Sequence, residues 1–275
     1  MQDRYLEKAP GKINLFLKIL NKRSDNYHNI LSAVTIVNLF DEIIAEKSSK
    51  FSLNYVGKFA PKNNYFKDCI ISKLFDIFEI KKPDFNFIVK KNIPVQSGLG
   101  SASSNAAAVI RILDKLDLIK INLIKNSTSL SADLPIFLNQ KDCEVEGIGD
   151  KLNFKFYPKF YFLLVKPSFG CSTKKMYNLI NMQNNKVINN LDENVSLSEK
   201  NNDFEIILTK QNKEINEILK FLKLQQHVIF ARLTGSGSCC FATFEKKQYA
   251  INAKKEFEAA YPNLWNCVVE NNFLS

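Results

Sequence analysis

Glycine, histidine, tryptophan and arginine are all scarce in this chain. Its 275 residues include nine glycines, two histidines and one tryptophan, and only four of the 38 basic residues are arginine. Arginine reads bases and grips phosphates with paired donors, so its scarcity argues against a nucleic-acid-binding protein despite the net charge of +10. We interpret the charge as a solvated lysine-rich surface. A basic nucleic-acid-binding protein remains the alternative, and its binding would weaken steeply with salt.

Long apolar runs and metal-type cysteine pairs are also missing from the sequence. No apolar run approaches the roughly 20 residues that span a bilayer, and the first ten residues lack the apolar core of a signal peptide. The six cysteines include no Cys-x-x-Cys pair, which predicts buried, reduced thiols instead of a zinc site or a disulfide framework. We therefore expect a cytoplasmic protein that binds neither membrane nor nucleic acid.

Strand and helix patterns alternate along the chain. The first ninety residues are mostly strand-like, with one amphipathic helix predicted over 69–80, and an alanine-rich helix is predicted over 106–118. Residues 178–202 contain nine asparagines and predict a loop or linker. After this stretch the pattern alternates again and predicts helices near 214–222 and over 246–260, and strands over 228–233, 239–244 and 264–269. These patterns indicate an α+β protein of two lobes, which we divide into residues 1–155 and 156–275.

Six of the nine glycines fall in three Gly-x-Gly pairs, a pattern typical of sharply turning or closely approached backbone. Gly98 and Gly100 lead into the alanine-rich helix, whose N-terminal N–H groups and dipole predict a phosphate site; a serine-capped helix after a flexible turn is the alternative. Gly147-Ile148-Gly149 is interpreted as structural. Gly235-Ser236-Gly237 predicts either a tight hairpin turn or a ligand loop.

Two segments place polar side chains among apolar neighbours. Lys12 and Asn14 are two residues apart on a predicted strand and share one face, which indicates either a ligand-facing wall or an exposed polar face. Asp133 precedes Leu-Pro-Ile-Phe, where a carboxylate needs partners. It is either a catalytic base or, together with Ser131, the cap of a helix.

In chain order, these segments resemble the family of galactokinase, homoserine kinase, mevalonate kinase and phosphomevalonate kinase. The glycine motifs at 94–104 and 234–238 carry the resemblance, which spans residues 8–244. The sequences of residues 9–17, 25–28 and 132–137 resemble those of one branch of this family. The kinases of that branch phosphorylate the 2-hydroxyl of a cytidine-diphosphate-linked methylerythritol in non-mevalonate isoprenoid biosynthesis. A homoserine or mevalonate type of kinase is the alternative.

The resemblance implies a two-lobed α+β kinase with a ribosomal-S5-like N-terminal lobe, a C-terminal α/β-sandwich lobe and the active site in the cleft between. It implies ATP and Mg²⁺ as cofactors and a monomer or weak homodimer. Asp133 would take the hydroxyl proton or orient that oxygen, Lys12 would add positive charge near Asp133, and Asn14 would contact the methylerythritol. The implied ATP-binding residues are Pro94, Gly98, Leu99, Gly100, Ser101, Ala102, Ser103, Ser104 and Asn105.

The resemblance also implies a cytosine pocket. Tyr27 and His28 would hold the base, one by stacking and one by hydrogen bonding its edge, while Tyr177 would close the sandwich and Thr173 would line the same pocket. The remaining implied substrate-binding residues are Gly235, Ser236 and Gly237.

Four residues, in three places of the chain, depart from the family pattern. Ser101 and Ala102 stand where the family has further glycines, so we expect either a hydroxyl contact to phosphate from Ser101 or a tighter loop. Ser131 replaces a glycine two residues before Asp133, and Gly11 replaces the alanine before Lys12. None of these changes removes a proposed catalytic group.

Overall fold

The structure is a computed structural model that describes residues 3–61, 69–120, 127–180 and 195–272. Within these ranges the chain forms ten β-strands, seven α-helices and a short 3₁₀ helix, Ser127–Ser129. The strands are β1 (Arg4–Lys22), β2 (His28–Lys47), β3 (Ser52–Val56), β4 (Phe85–Lys90), β5 (Cys143–Gly147), β6 (Lys151–Phe154), β7 (Tyr161–Lys166), β8 (Phe230–Leu233), β9 (Cys240–Phe244) and β10 (Trp265–Glu270). The helices are α1 (Ile70–Ile77), α2 (Ser101–Lys115), α3 (Leu134–Asn139), α4 (Thr173–Leu179), α5 (Asp203–Gln211), α6 (Lys213–Lys223) and α7 (Lys247–Ala260).

One compact unit is drawn from residues 1–11, 39–95 and 100–141. In it, the second half of β2 pairs antiparallel with β4, and β4 pairs in parallel with β3. Alternate residues of β4 are buried, as expected for a strand with one covered face. Helix α2 packs against α1 and α3, and its alanines 106–108 are fully buried, which permits close helix packing.

The second compact unit is drawn from residues 12–38, 96–99 and 142–275. The first half of β2 pairs antiparallel with β5, and β5 pairs with β6. A separate antiparallel sheet has the strand order β10-β7-β9-β8. Its central strand β7 is buried continuously from Phe162 to Val165, because helices α6 and α7 pack on the sheet. The division of the chain at residue 155 stays a prediction.

The structure confirms most predicted elements and shifts some boundaries. The helix predicted over 106–118 begins five residues earlier, at Ser101, because Gly100 turns the chain in a left-handed conformation (φ 72°) immediately before it. Helices α3, α4 and α5 are additional to the prediction. Of the predicted loop over 178–202, residues 181–194 lie outside the described ranges, and its last residue, Asn202, caps α5.

The prediction of buried thiols is confirmed for Cys143, Cys239 and Cys240, which are buried. Cys69, Cys171 and Cys267 are only partly buried, so the prediction is wrong for half of the cysteines. Burial in apolar surroundings raises the pKa of the Cys239 and Cys240 thiols, which favours the neutral form. Among the described helices, none is long and apolar enough to cross a bilayer.

Candidate active site

Two glycine loops that are far apart in sequence meet in the second unit. A side chain at Gly98, whose φ is +77°, would collide with the carbonyl oxygen of Thr234, and a Cβ at Gly235 would lie 2.8 Å from the carbonyl oxygen of Gly98. The Cys239 amide donates to the Ser97 carbonyl at 3.0 Å. Both glycines are therefore required by backbone-to-backbone contact. The β8–β9 turn thus also forms a packing surface for the Gly98 segment.

Lys12 and Asn14 lie beside these loops on β1. The Lys12 amide donates to the Leu99 carbonyl, and the Asn14 amide donates to the Thr234 hydroxyl oxygen, both at 3.0 Å. The Lys12 ammonium donates to Asn14 Oδ1, so the two side chains share one face of the strand, as their spacing predicts. Each residue is only 4% exposed. The alternative of a solvent-exposed polar face is therefore wrong.

Helix α4 carries two of the predicted substrate residues one turn apart. The hydroxyl groups of Thr173 and Ser236 share a hydrogen bond of 2.9 Å. This bond links the start of α4 to residues 234–238, the second glycine loop. The Tyr177 ring stacks on His28, with ring centroids 5.0 Å apart and planes 22° from parallel. Burial and the neighbouring Lys22 lower the pKa of His28. Tyr27, next to it, is 57% exposed.

The predicted phosphate segment continues into the first turn of α2 in the first unit. Gly100 occupies the cap position without a side-chain cap, so the alternative of a serine-capped helix is wrong. Ala102 is the exposed residue of this turn. The other members of the segment in this unit, Pro94, Ser101, Ser103, Ser104 and Asn105, are buried.

The serine at position 101 is anchored to a buried ion pair. Its hydroxyl donates to Asp41 Oδ2 at 2.8 Å, and the Lys91 ammonium donates both to that carboxylate and to the Ser101 oxygen. Asp41 Oδ1 accepts the amides of Asn92 and Ile93 at 2.7 and 2.9 Å. Burial lowers the pKa of Lys91, and Asp41 opposes that shift. The Ser101 hydroxyl therefore anchors the loop, and sequence reasoning missed both partners.

We expect Lys91→Met to lower the free energy of unfolding by about 3–5 kcal/mol, because it leaves the fully buried Asp41 carboxylate without its counter-charge. Urea unfolding of the variant measures the loss. The control is a double-mutant cycle with Asp41→Asn, which removes the uncompensated charge. Additive losses in the double variant would contradict coupling of the pair.

Asp133 immediately precedes α3. Its side chain makes no cap hydrogen bond to that helix, so the capping interpretation of Asp133 is wrong. Its backbone amide donates to the Ser131 hydroxyl oxygen at 3.4 Å, and that hydroxyl shares a 2.6 Å hydrogen bond with Ser103 of α2. Arg111 of α2 donates to the Phe137 carbonyl of α3 at 2.9 Å. Ser131 and Arg111 thus connect the Asp133 segment to α2, the helix whose N-terminus is the predicted phosphate site.

Comparison with protein families identifies related chains along most of the sequence. The model described as the GHMP kinases N terminal domain matches residues 64–140, and the model described as GHMP kinases C terminal matches residues 179–263. A protein of Pelagibacter ubique named 4-diphosphocytidyl-2-C-methyl-D-erythritol kinase is 32% identical over 271 residues, covering 94% of this chain and 95% of its own. The protein of the same name from Syntrophus aciditrophicus is 32% identical over 268 residues, with the same coverage of both chains.

Solved structures share the fold. A crystal structure of 4-(cytidine 5'-diphospho)-2C-methyl-D-erythritol kinase aligns with a TM-score of 0.80 at 22% identity, covering 98% of this chain and 100% of that one. Homoserine kinase from Cytophaga hutchinsonii aligns with a TM-score of 0.58 at 16% identity, covering 99% and 95%. Mevalonate kinase from Methanococcus jannaschii aligns with a TM-score of 0.62 at 15% identity, covering 98% of each chain.

Proposed function

The chain belongs to the GHMP kinase family and, within it, to the 4-diphosphocytidyl-2-C-methyl-D-erythritol kinases, and we propose that it transfers the γ-phosphoryl group of ATP to the 2-hydroxyl of that cytidyl substrate. The observation that carries this proposal is the 32% identity over 94% of the chain to relatives of that name. The meeting of the Gly98 and Gly235 loops beside Lys12 supports it. We further propose that the enzyme acts in the cytoplasm as a monomer or weak homodimer.

The N-terminus of α2 suits the phosphates of ATP, because its amides and dipole favour negative charge. Within the described residues, the buried Ser104 Oγ and Asn105 Oδ1 have no hydrogen-bond partner, which fits a site for a polar ligand. Gly98, Leu99 and the first turn of α2 are the segment that would follow the phosphate chain. Ser101 contributes by anchoring that segment to Asp41 and Lys91.

Mg²⁺ is expected with ATP, since it neutralises charge on the transferring phosphoryl group. Magnesium binds through one or two carboxylates together with substrate phosphates and water. No group of three His, Cys, Asp or Glu that could hold a metal occurs among the residues that the structure describes. The Asp133 carboxylate and the Ser103 hydroxyl, whose segments are joined through Ser131, would supply the protein oxygens to an ion held mainly by the phosphates.

The chemical step needs a proton acceptor and positive charge. The 2-hydroxyl oxygen attacks the γ-phosphorus, the bond from that phosphorus to the β–γ bridging oxygen breaks, and ADP leaves. Asp133 accepts the hydroxyl proton or orients the attacking oxygen. Lys12 stabilises the negative charge on the phosphoryl oxygens. The hydrogen bond from Lys12 to Asn14 holds the ammonium in place. In this proposal Asn14 also contacts the methylerythritol.

The cytosine would bind at the aromatic group formed by Tyr27, His28 and Tyr177. Tyr177 already stacks on a flat heteroaromatic ring, that of His28, so its face suits a pyrimidine. Burial keeps His28 mainly neutral near pH 7, with one ring nitrogen donating and the other accepting. Such an imidazole can hydrogen-bond the edge of the base. Thr173 and the second glycine loop line the same region.

We expect Tyr27→Ala to raise KM for the cytidyl substrate about tenfold and to change KM for ATP by less than about twofold, because base stacking contributes about 1–3 kcal/mol. Initial rates with each substrate varied in turn measure both constants. Tyr5→Ala, which removes a tyrosine packed on Phe85 in the other unit, is the control. Equal changes in the two Michaelis constants would contradict a base-binding role for Tyr27.

A coupled assay of ADP formation tests the proposed function directly. It compares the cytidyl substrate with mevalonate and homoserine, each at saturating ATP. Turnover of the cytidyl substrate alone is the expected result. Preferential turnover of mevalonate or homoserine would overturn the assignment and favour another branch of the family.

A further inference from the structure

The side chain of Asn202 binds the backbone at the second glycine loop. Its side chain is buried, and Nδ2 donates to the carbonyl oxygens of Leu233 and Gly235, each at 2.8 Å. Its Oδ1 accepts the Phe204 amide at 3.0 Å and caps α5. One amide group therefore caps a helix and, at its other end, supports the backbone that approaches Gly98.

The neighbouring acidic side chains tie the same segment to two strands. Asp203 Oδ2 accepts the Ile19 amide at 2.8 Å, and its Oδ1 accepts the Lys18 ammonium at 2.9 Å, both on β1. Glu205 Oε2 accepts the Leu233 amide at 2.9 Å, at the end of β8 where the glycine loop begins. Asn202 and Glu205 thus both bind Leu233, one through its carbonyl oxygen and one through its N–H.

Phe204 connects the segment to the aromatic group. It is buried, and its ring meets Tyr177 edge-on, with ring centroids 5.0 Å apart and planes at 86°. Tyr177 also stacks on His28, and the edge-on contact from Phe204 is compatible with that stacking. A perpendicular aromatic pair fixes ring orientation as well as burying area.

We infer that residues 202–205, Asn-Asp-Phe-Glu, form a positioning clamp that sets the second glycine loop and the Tyr177 ring for the cytidyl substrate. This inference rests on the proposed function and adds residues to it. Asn202 and Glu205 bind the backbone of the second glycine loop and of Leu233 before it, Asp203 binds β1, and Phe204 packs on Tyr177. The clamp touches no reacting atom. It acts by holding Gly235 and Tyr177, and a small displacement of such groups weakens binding.

Asn202→Ser tests whether the hydrogen bonds from Asn202 position the second glycine loop. Serine keeps a capping oxygen for α5 and removes the two donors to the loop. The matched control is Asn212→Ser, because Asn212 caps α6 in the same way, through Ile215 N at 3.2 Å. We expect Asn202→Ser to raise KM for the cytidyl substrate about tenfold, more than KM for ATP, with Asn212→Ser at wild-type values. Identical constants in the two variants would overturn the inference.

Phe204→Leu tests whether Phe204 positions the Tyr177 ring. It keeps the inference testable if Asn202→Ser does not fold. Its matched control is Phe257→Leu, since Phe257 is also buried against a tyrosine, Tyr261, at 4.9 Å, but in α7. Calorimetric titration with cytidine 5'-diphosphate is expected to show about fivefold weaker binding for Phe204→Leu than for Phe257→Leu. Equal affinities of the two variants for cytidine 5'-diphosphate would contradict a positioning role of Phe204 for Tyr177. This titration needs no turnover, so it reports on the clamp separately from the assay of the proposed function.

Discussion

Asp133→Asn is expected to lower kcat by about 10²–10⁴-fold, the range contributed by a positioned general base. The amide cannot accept the hydroxyl proton, so transfer is left without its acceptor. The exchange is nearly isosteric, and the Asp133 side chain makes no cap hydrogen bond to α3, so the helix does not lose a cap. The hydrogen bond from the Asp133 backbone to Ser131 is retained. We therefore expect both substrates to bind with nearly unchanged affinity.

Single-turnover kinetics and calorimetric titration of each substrate separate the chemical step from binding in this variant. Asp117→Asn is the matched control, because Asp117 follows α2 in the same unit and its side chain is largely exposed. Its kcat should equal that of the wild type. Full activity of Asp133→Asn would remove Asp133 from the mechanism.

Lys12→Met is expected to lower kcat about 10²–10³-fold. This is the loss seen when one preorganised donor to a developing negative charge is removed. Methionine keeps most of the buried volume of the lysine stem, so β1 should pack as before. Its backbone hydrogen bond to Leu99 does not involve the side chain and persists. The loss should therefore fall on kcat, because the charge of the phosphoryl group is greatest in the transition state.

The control for Lys12→Met is Lys8→Met on the same strand. Lys8 is exposed, with its ammonium over the Phe40 ring, and we assign it no part in the reaction. Steady-state rates at varied ATP resolve kcat from KM. A variant that changes KM for ATP while retaining kcat would show that Lys12 contributes ground-state binding only.

Local patterns in the sequence determined the elements and several site residues. Strand alternation and helical periodicity depend on neighbouring residues, so β4, α1, α6 and α7 follow from them directly. The two-residue spacing of Lys12 and Asn14 placed their side chains on one strand face for the same reason. Resemblance to a family pattern added the predicted roles of Asp133 and of Tyr27, His28 and Tyr177. It also identified Ser101 as a departure without indicating its partners.

Only the tertiary structure decided which separate segments meet. Asn14 and Thr234 are hydrogen-bonded although 220 residues apart, and Ser101 is bonded to Asp41 across 60 residues. Such contacts depend on how strands and loops assemble, and no local periodicity encodes them. Residues 202–205 illustrate this, because they begin at the last residue of the polar stretch 178–202 that predicts a loop, yet all four side chains hold other elements. The scarce glycines were conspicuous in the sequence, but the reason for Gly98 and Gly235, the contact of two backbones, exists only in the fold.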